Sequence, residues 1–169
     1  MSALDAHEQT VYDTLRSLGV AYEVRRHAPA HTMTDCLALG LAPDVAYCKN
    51  LFLCNRQKTN YYLLVMPGGK NLQTKELSPQ IPSSRLSFAS GEDMEKYLNV
   101  TPGSATIMGL IFDPENRVQL LIDEDVLGEE YFACHPCVNT SSIRLKTEDV
   151  LGKFLKAVHH DYIPVKLSR

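Results

Sequence analysis

Apolar residues along the chain recur at two spacings. In residues 2–18, Leu4, Val11, Leu15 and Leu18 fall at helical intervals, and Gly19 follows as a natural stop. Val20, Tyr22 and Val24 then alternate with Ala21, Glu23 and Arg25, the period of a strand. Residues 27–31 contain Pro29 and read as loop, after which Thr32 or Thr34 caps a short helix through Leu41, ended by Pro43. Residues 45–54 and 61–66 are the clearest strands; polar residues 55–60 join them as a hairpin, and Pro67-Gly68-Gly69 forms a turn.

The second half mixes the same periods. Residues 71–77 predict a short helix, 85–89 a brief strand, and Ser90 caps a helix to Leu98, with Asp93 placed to return a hydrogen bond. A turn at residues 101–104 leads into a strand over 105–112, and Asp113-Pro114-Glu115-Asn116 turns it back onto 118–123 as a second arm. Residues 141–145 give one more strand, and Thr147 opens an amphipathic helix carrying Val150, Leu151, Phe154, Leu155 and Val158. Strands and helices mix without a regular βαβ repeat, which predicts an α+β fold with a mixed sheet. Neither a repeat nor a linker divides residues 1–169, so one domain is expected.

The net charge of −3 excludes a protein that grips nucleic acid simply by being basic, leaving only a local patch for that purpose. No apolar run approaches the roughly 20 residues of a membrane helix. The first residues carry Asp5 and lack a cationic, then apolar, leader. Five cysteines, an odd count without such a leader, read as reduced thiols. A soluble cytoplasmic protein is expected.

Standard chemistries find little support. Cys134-His135-Pro136-Cys137 has the spacing of one zinc-binding pair, but Cys36, Cys48 and Cys54 form no second pair. A redox dithiol would need a strand-to-helix junction, and a strand follows here instead. Two buried apolar fillers beside a histidine is the simpler account. There is no nucleophile elbow, phosphate loop or dinucleotide fingerprint, and Gly68-Gly69-Lys70 reads as a turn. Asp123-Glu124-Asp125 with Glu129-Glu130 reads as a solvated charge run rather than a cation site.

Lys49 resists so plain a reading. On a strand, Val45, Tyr47, Lys49, Leu51 and Leu53 share one face, so the lysine interrupts an apolar row. Either its stem covers apolar surface while the ammonium reaches water, or the cation sits at a pocket rim, where a low dielectric strengthens its pull on an anionic oxygen.

The residues around it resemble the YbaK/ProX family. The likeness runs through Cys48-Lys49-Asn50-Leu51-Phe52-Leu53, Tyr61 to Gly68, Arg85 to Ser90, Val100-Thr101-Pro102-Gly103-Ser104, Met108-Gly109-Leu110, Leu121-Ile122-Asp123 and His135-Pro136 followed by Asn139-Thr140. The resemblance implies a mixed, partly curled β-sheet flanked by helices. It implies a free-standing relative of the editing domain of prolyl-tRNA synthetases, hydrolysing the ester of mischarged Ala-tRNA(Pro) without metal or organic cofactor. Its partners would be the acceptor end of a mischarged tRNA and, transiently, the synthetase, with neither DNA nor a membrane involved. The alternatives are a deacylase for serine or cysteine on another tRNA, and a non-catalytic, synthetase-associated binding or regulatory module.

The same resemblance assigns roles. Lys49 would hold a phosphate or the terminal ribose. Asn50 would act beside it, although it faces the other side of the strand, so that only a twist or a strand end lets both reach substrate. His135, with Pro136, Asn139 and Thr140, would line the aminoacyl site; a loop histidine satisfied by backbone is the alternative. Gly103 and Ser104 belong to the substrate loop, and Arg85 either meets the acceptor-stem backbone or is a plain surface arginine. One departure stands out: the family often has Gly-x-x-x-Pro where this chain reads Gly103 to Ile107. Loss of that proline frees φ and restores a backbone donor.

Overall fold

The two apolar runs that predict the hairpin build the centre of the sheet. In this computed structural model, which describes residues 6–26, 45–81, 85–100, 105–137 and 141–168, β2 (Val45–Asn55) pairs antiparallel with β3 (Tyr61–Pro67) from Cys48↔Pro67 to Cys54↔Tyr61. Asn55 closes the hairpin: its Oδ1 accepts from the backbone N–H groups of Thr59 and Asn60 at 2.8 and 3.1 Å. The remaining strands are β1 (Tyr22–Arg26), β4 (Leu86–Phe88), β5 (Val118–Asp123), β6 (Tyr131–Cys134), β7 (Ser141–Lys146) and β8 (Tyr162–Val165). They form one mixed sheet ordered β1-β7-β6-β2-β3-β5-β8, with β4 paired to β2 off that path.

Period-two alternation gives the sheet two apolar faces. Phe52, Cys54, Leu63, Val65, Leu120 and Ile122 face α1 (Ala6–Ser17), α3 (Gly91–Leu98) and the long helix near the C-terminus through Val11, Leu15, Leu98 and Phe154. Leu53, Tyr62, Leu64, Met66 and Leu121 face the other way, onto Leu77 of α2 (Thr74–Leu77), Ile81 and Val165. Burying each large aliphatic side chain contributes about 1.5–3 kcal/mol, and both faces are covered. The helix near the C-terminus runs through Thr147–Asp149, a π-helical turn at Val150–Phe154, and Leu155–Ala157.

Several expectations are corrected. Residues 105–112 are not a strand: Ile107–Phe112 is a 3-10 helix, capped by the Thr106 hydroxyl accepting from Met108 N–H. An unbroken apolar run fits either element, and close approach decides it, since a Cβ on Gly109 would lie 3.1 Å from Leu98 Cβ. The 113–116 turn therefore joins no hairpin, and β5 runs parallel to β3 and β8. Strands β6 and β8 were not expected. The helix within 71–77 is only its last turn, Thr74–Leu77. Ser90 caps α3 as expected, but the Asp93 carboxylate accepts from the Tyr61 hydroxyl at 3.0 Å instead of closing a capping box. Thr147 opens its helix as expected, with its hydroxyl left unbonded. The helix expected before Pro43 lies outside the described residues.

The charge run is corrected too. Asp123 is 1% exposed and accepts from the Lys70 ammonium at 2.8 Å, while Asp125 binds the same ammonium at 2.9 Å. A second buried pair joins the 113–116 turn to the approach to β8. His160 Nε2 lies 2.9 Å from Asp113 Oδ2 and its Nδ1 2.7 Å from the Val158 carbonyl.

Burial pushes the Asp113 carboxyl up. The bond from His160 and the N–H groups of Arg117 and Val118 outweigh it and hold the group below the usual aspartate value. A carboxyl lowered in the folded state adds stability above its unfolded pKa, about 3.9, and loses it as pH falls through the lower folded value. Asp113→Asn is therefore expected to lower the urea midpoint at about pH 5, with the gap from the parent narrowing in acid below the aspartate range. A constant gap down through that range would refute this linkage.

Candidate active site

β2 is long enough to have different neighbours at its two ends. Opposite β3 it pairs in parallel with β6 as far as Tyr47↔Ala133, and antiparallel with β4 from Leu53↔Phe88 onward. Between those contacts the sheet opens along residues 48–51. Asn55 N–H donates towards β3, to the Asn60 carbonyl, whereas the Phe52 carbonyl accepts from Ala89 N–H on the β4 side. Backbone groups alternate in direction along a strand, so Asn50 turns its N–H and C=O into the opening. Among the described residues no strand pairs with it there.

The segment at residues 105–108 spans the opening on one face. Asn50 Oδ1 accepts from Ile107 N–H at 3.0 Å. Thr106, fully buried, donates from Oγ1 to the His135 carbonyl at 2.6 Å and accepts from Met108 N–H. Asn50, Thr106 and the end of β6 are thus locked together. The donor restored by having Ile107 in place of a proline is the one Asn50 holds. Thr106 was missed by sequence reasoning, since a lone threonine in an apolar stretch carries no signal until its partner, 29 residues away, is known.

His135 leaves β6 half-buried, with Nδ1 2.9 Å from the Ser141 carbonyl. A carbonyl only accepts, so Nδ1 carries the proton and, in the neutral ring, Nε2 is the acceptor. Pro136 and Cys137 are buried, and Cys137 turns the chain at φ +66°.

Lys49 is half-buried on the opposite face from the Asn50 side chain, as the sequence requires. It stands across from Met66 and beside Leu51, on the face that buries Leu53. Among the described residues no carboxylate or carbonyl pairs with its ammonium. The opening supplies what neither a twist nor a strand end does: the Lys49 side chain and the Asn50 backbone border the same interval of sheet. The side chains of Val45 and Tyr47, the rest of the expected row, lie outside the described residues, as do Gly103, Ser104, Asn139 and Thr140. Arg85 is exposed at the entrance to β4.

Cys48 and Cys134 are poorly placed to act as nucleophiles. Burial pushes the Cys134 thiol up to about 12, and the Cys48 thiol is raised by burial first and by neighbouring Cys134 next. A reactive thiol needs the opposite shift. No group of three or more histidine, cysteine or carboxylate side chains among the described residues could hold a metal ion.

A sheet opened at Lys49-Asn50 and braced by residues 106, 107 and 135 falls wholly within residues 27–152, the stretch that matches the family described as the aminoacyl-tRNA editing domain. The chain belongs to that family. Over 160 residues it is 29% identical to the prolyl-tRNA editing protein ProX of Acetoanaerobium sticklandii, covering 95% of this chain and 97% of that one. It is 31% identical over 153 residues to the mouse prolyl-tRNA synthetase associated domain-containing protein 1, covering 88% and 89%. A solved structure of a candidate trans-editing enzyme for prolyl tRNA synthetase superposes with a TM-score of 0.72 at 15% identity, covering 98% of this chain and all of that one; at that identity it shows the fold alone. The resemblance drawn from short motifs and the mixed α+β architecture both hold for this editing domain. No helix among its described residues is long and apolar enough to cross a membrane.

Proposed function

We propose that this editing domain hydrolyses the ester linking alanine to tRNA(Pro). The observation carrying the proposal is the backbone N–H of Asn50, turned to an edge of β2 that no described strand covers, beside the Lys49 ammonium, which no described residue pairs. Water adds to the ester carbonyl, the tetrahedral oxyanion collapses, and free alanine and the terminal ribose hydroxyl leave. An aminoacyl ester is already activated, so the site has mainly to hold a water and stabilise the oxyanion. A fixed backbone donor at the Asn50 position does the latter without reorganising. Lys49 binds the phosphate or ribose at the RNA end, and His135 Nε2 accepts a proton from the water.

Discrimination by size explains the choice of amino acid. A synthetase pocket made for proline cannot strongly reject the smaller alanine, because a missing methylene is worth only about 1–3 kcal/mol. A second site that admits alanine and excludes proline supplies the rest. The names of the ProX and mouse relatives, both tied to prolyl-tRNA, support the choice of tRNA.

The test is a panel of tRNAs charged with alanine, serine, cysteine or proline. Release from Ala-tRNA(Pro) is expected to exceed the others by at least tenfold, with Pro-tRNA(Pro) left intact, and to weaken steeply with added salt as phosphate contacts are screened. Preference for serine or cysteine would keep the chemistry and change the substrate. The name of the mouse relative also points to association with the synthetase; inactivity on every charged tRNA, together with stable binding to purified prolyl-tRNA synthetase, would establish a non-catalytic module instead.

A further inference from the structure

Among the described residues the exposed large apolar side chains are Val24, at 41%, and Phe88, at 63%. Phe88 is the unusual one. Its strand is three residues long, and Leu86, on the same face, is buried at 2%. Ser87 points to the opposite face, where its hydroxyl lies 3.9 Å from Cys54 Sγ. Phe88 thus ends a core-facing row with its ring in solvent, forgoing stabilisation that its neighbour takes.

The surroundings say what such a ring could meet. Phe88 stands opposite Leu53, on the sheet face that carries Leu51 and Lys49. Four residues of strand separate Leu53 from Lys49, about 14 Å at 3.4 Å per residue, a distance that a few nucleotides span. Arg85 is exposed just before β4, and Lys75 is exposed on α2, which packs against β4. Of the nearby carboxylates, Asp93 accepts from Tyr61 and Glu76 from Ser168, leaving Glu92 exposed at the start of α3. One exposed aromatic ring, with an exposed Arg85 just before its strand and an exposed Lys75 on the helix packed against that strand, is far short of the roughly 800 Å² per partner that a stable protein interface buries. It suits a base followed by phosphates.

We propose that Phe88 is a stacking platform for an unpaired base at the 3′ end of the RNA whose terminal ribose or phosphate reaches Lys49. This rests on the editing function proposed above and adds the surface that receives the strand. Stacking of a base on an aromatic side chain contributes about 1–3 kcal/mol and tolerates any base, so the platform serves affinity rather than sequence choice.

The experiment uses the full chain and an RNA microhelix with a single-stranded 3′ end, carrying 2-aminopurine at each unpaired position in turn. Stacking quenches this fluorophore. The parent protein is expected to quench one position. Phe88→Leu should abolish the quenching and raise the KM for deacylation roughly five- to hundredfold, with kcat and the thermal midpoint little changed. Phe88→Trp should restore both signals. Quenching that depends on Phe88 in a protein inactive on every charged tRNA would keep the platform and overturn the hydrolase. Normal deacylation with no quenching at any position, or with Phe88→Leu indistinguishable from the parent, would overturn the platform and leave the hydrolase standing.

Discussion

Lys49→Ala is expected to slow deacylation of Ala-tRNA(Pro) ten- to hundredfold while leaving the thermal midpoint unchanged or slightly higher. The two halves of that result come from one observation. Lys49 is half-buried among apolar neighbours and, among the described residues, its ammonium has no partner. No described interaction is lost with the charge, so the fold has no reason of its own to keep it. A bound phosphate or ribose oxygen would supply the missing partner, and a hydrogen bond to a charged group is worth about 1.5–3 kcal/mol, which sets the expected size of the rate loss. Single-turnover hydrolysis and thermal unfolding, measured on the same preparation, check both halves. Lys49→Arg separates two uses of the charge. A point contact to phosphate tolerates the larger, planar guanidinium poorly in a tight site, whereas long-range attraction keeps most of the rate. Full activity in Lys49→Ala would remove this residue from the reaction.

The parts of this site legible in the sequence are those that follow from local period. Two apolar runs bounded by polar and Pro-Gly turns predict β2 and β3, and the two-residue period of a strand puts Lys49 and Asn50 on opposite faces before any coordinates are seen. Ser90 and Gly19 punctuate their helices as local chemistry requires, Gly19 at φ +70°. The opening in the sheet is invisible to such reading, because it depends on which strands flank β2. Both neighbours, β4 and β6, are only three and four residues long. Thr106 and the Asn50–Ile107 bond belong to the same class: contacts between segments 29 and 57 residues apart leave no periodic trace. Misreading residues 107–112 as a strand has a related cause. A wholly apolar run carries no phase, and only its packing on Leu98 makes it helical.

Lys70→Met is expected to destabilise the protein by about 3–5 kcal/mol, the usual cost of removing one partner from a buried ion pair. The Lys70 side chain is 7% exposed and the Asp123 side chain 1%. The ammonium uses its donors fully: Asp123 Oδ2 at 2.8 Å, Asp125 Oδ2 at 2.9 Å and the Leu167 carbonyl at 2.7 Å. One cation thereby ties the turn after β3 to the end of β5 and to the C-terminal tail. Methionine fills similar space but leaves the Asp123 carboxylate buried and unpaired. The loss corresponds to a thermal midpoint roughly 6–20 °C lower, with the urea midpoint falling at constant slope. Burial works to lower the lysine pKa, but the bonds to Asp123 and Asp125 prevail and raise it. A raised cationic group stabilises fully below its unfolded pKa, near 10.4, and its contribution fades only as pH rises through the higher folded value. The lysine's own contribution is therefore constant from neutral to mildly acidic pH. The double variant Lys70→Met with Asp123→Asn isolates the cause. Asparagine removes the stranded charge yet keeps an Oδ1 to accept from Asp125 N–H, as Asp123 does at 3.0 Å. Most of the lost stability should return, because deleting both charges is far less costly than deleting one. If Lys70→Met alone stayed within about 1 kcal/mol of the parent, the pair would not be holding these three segments together.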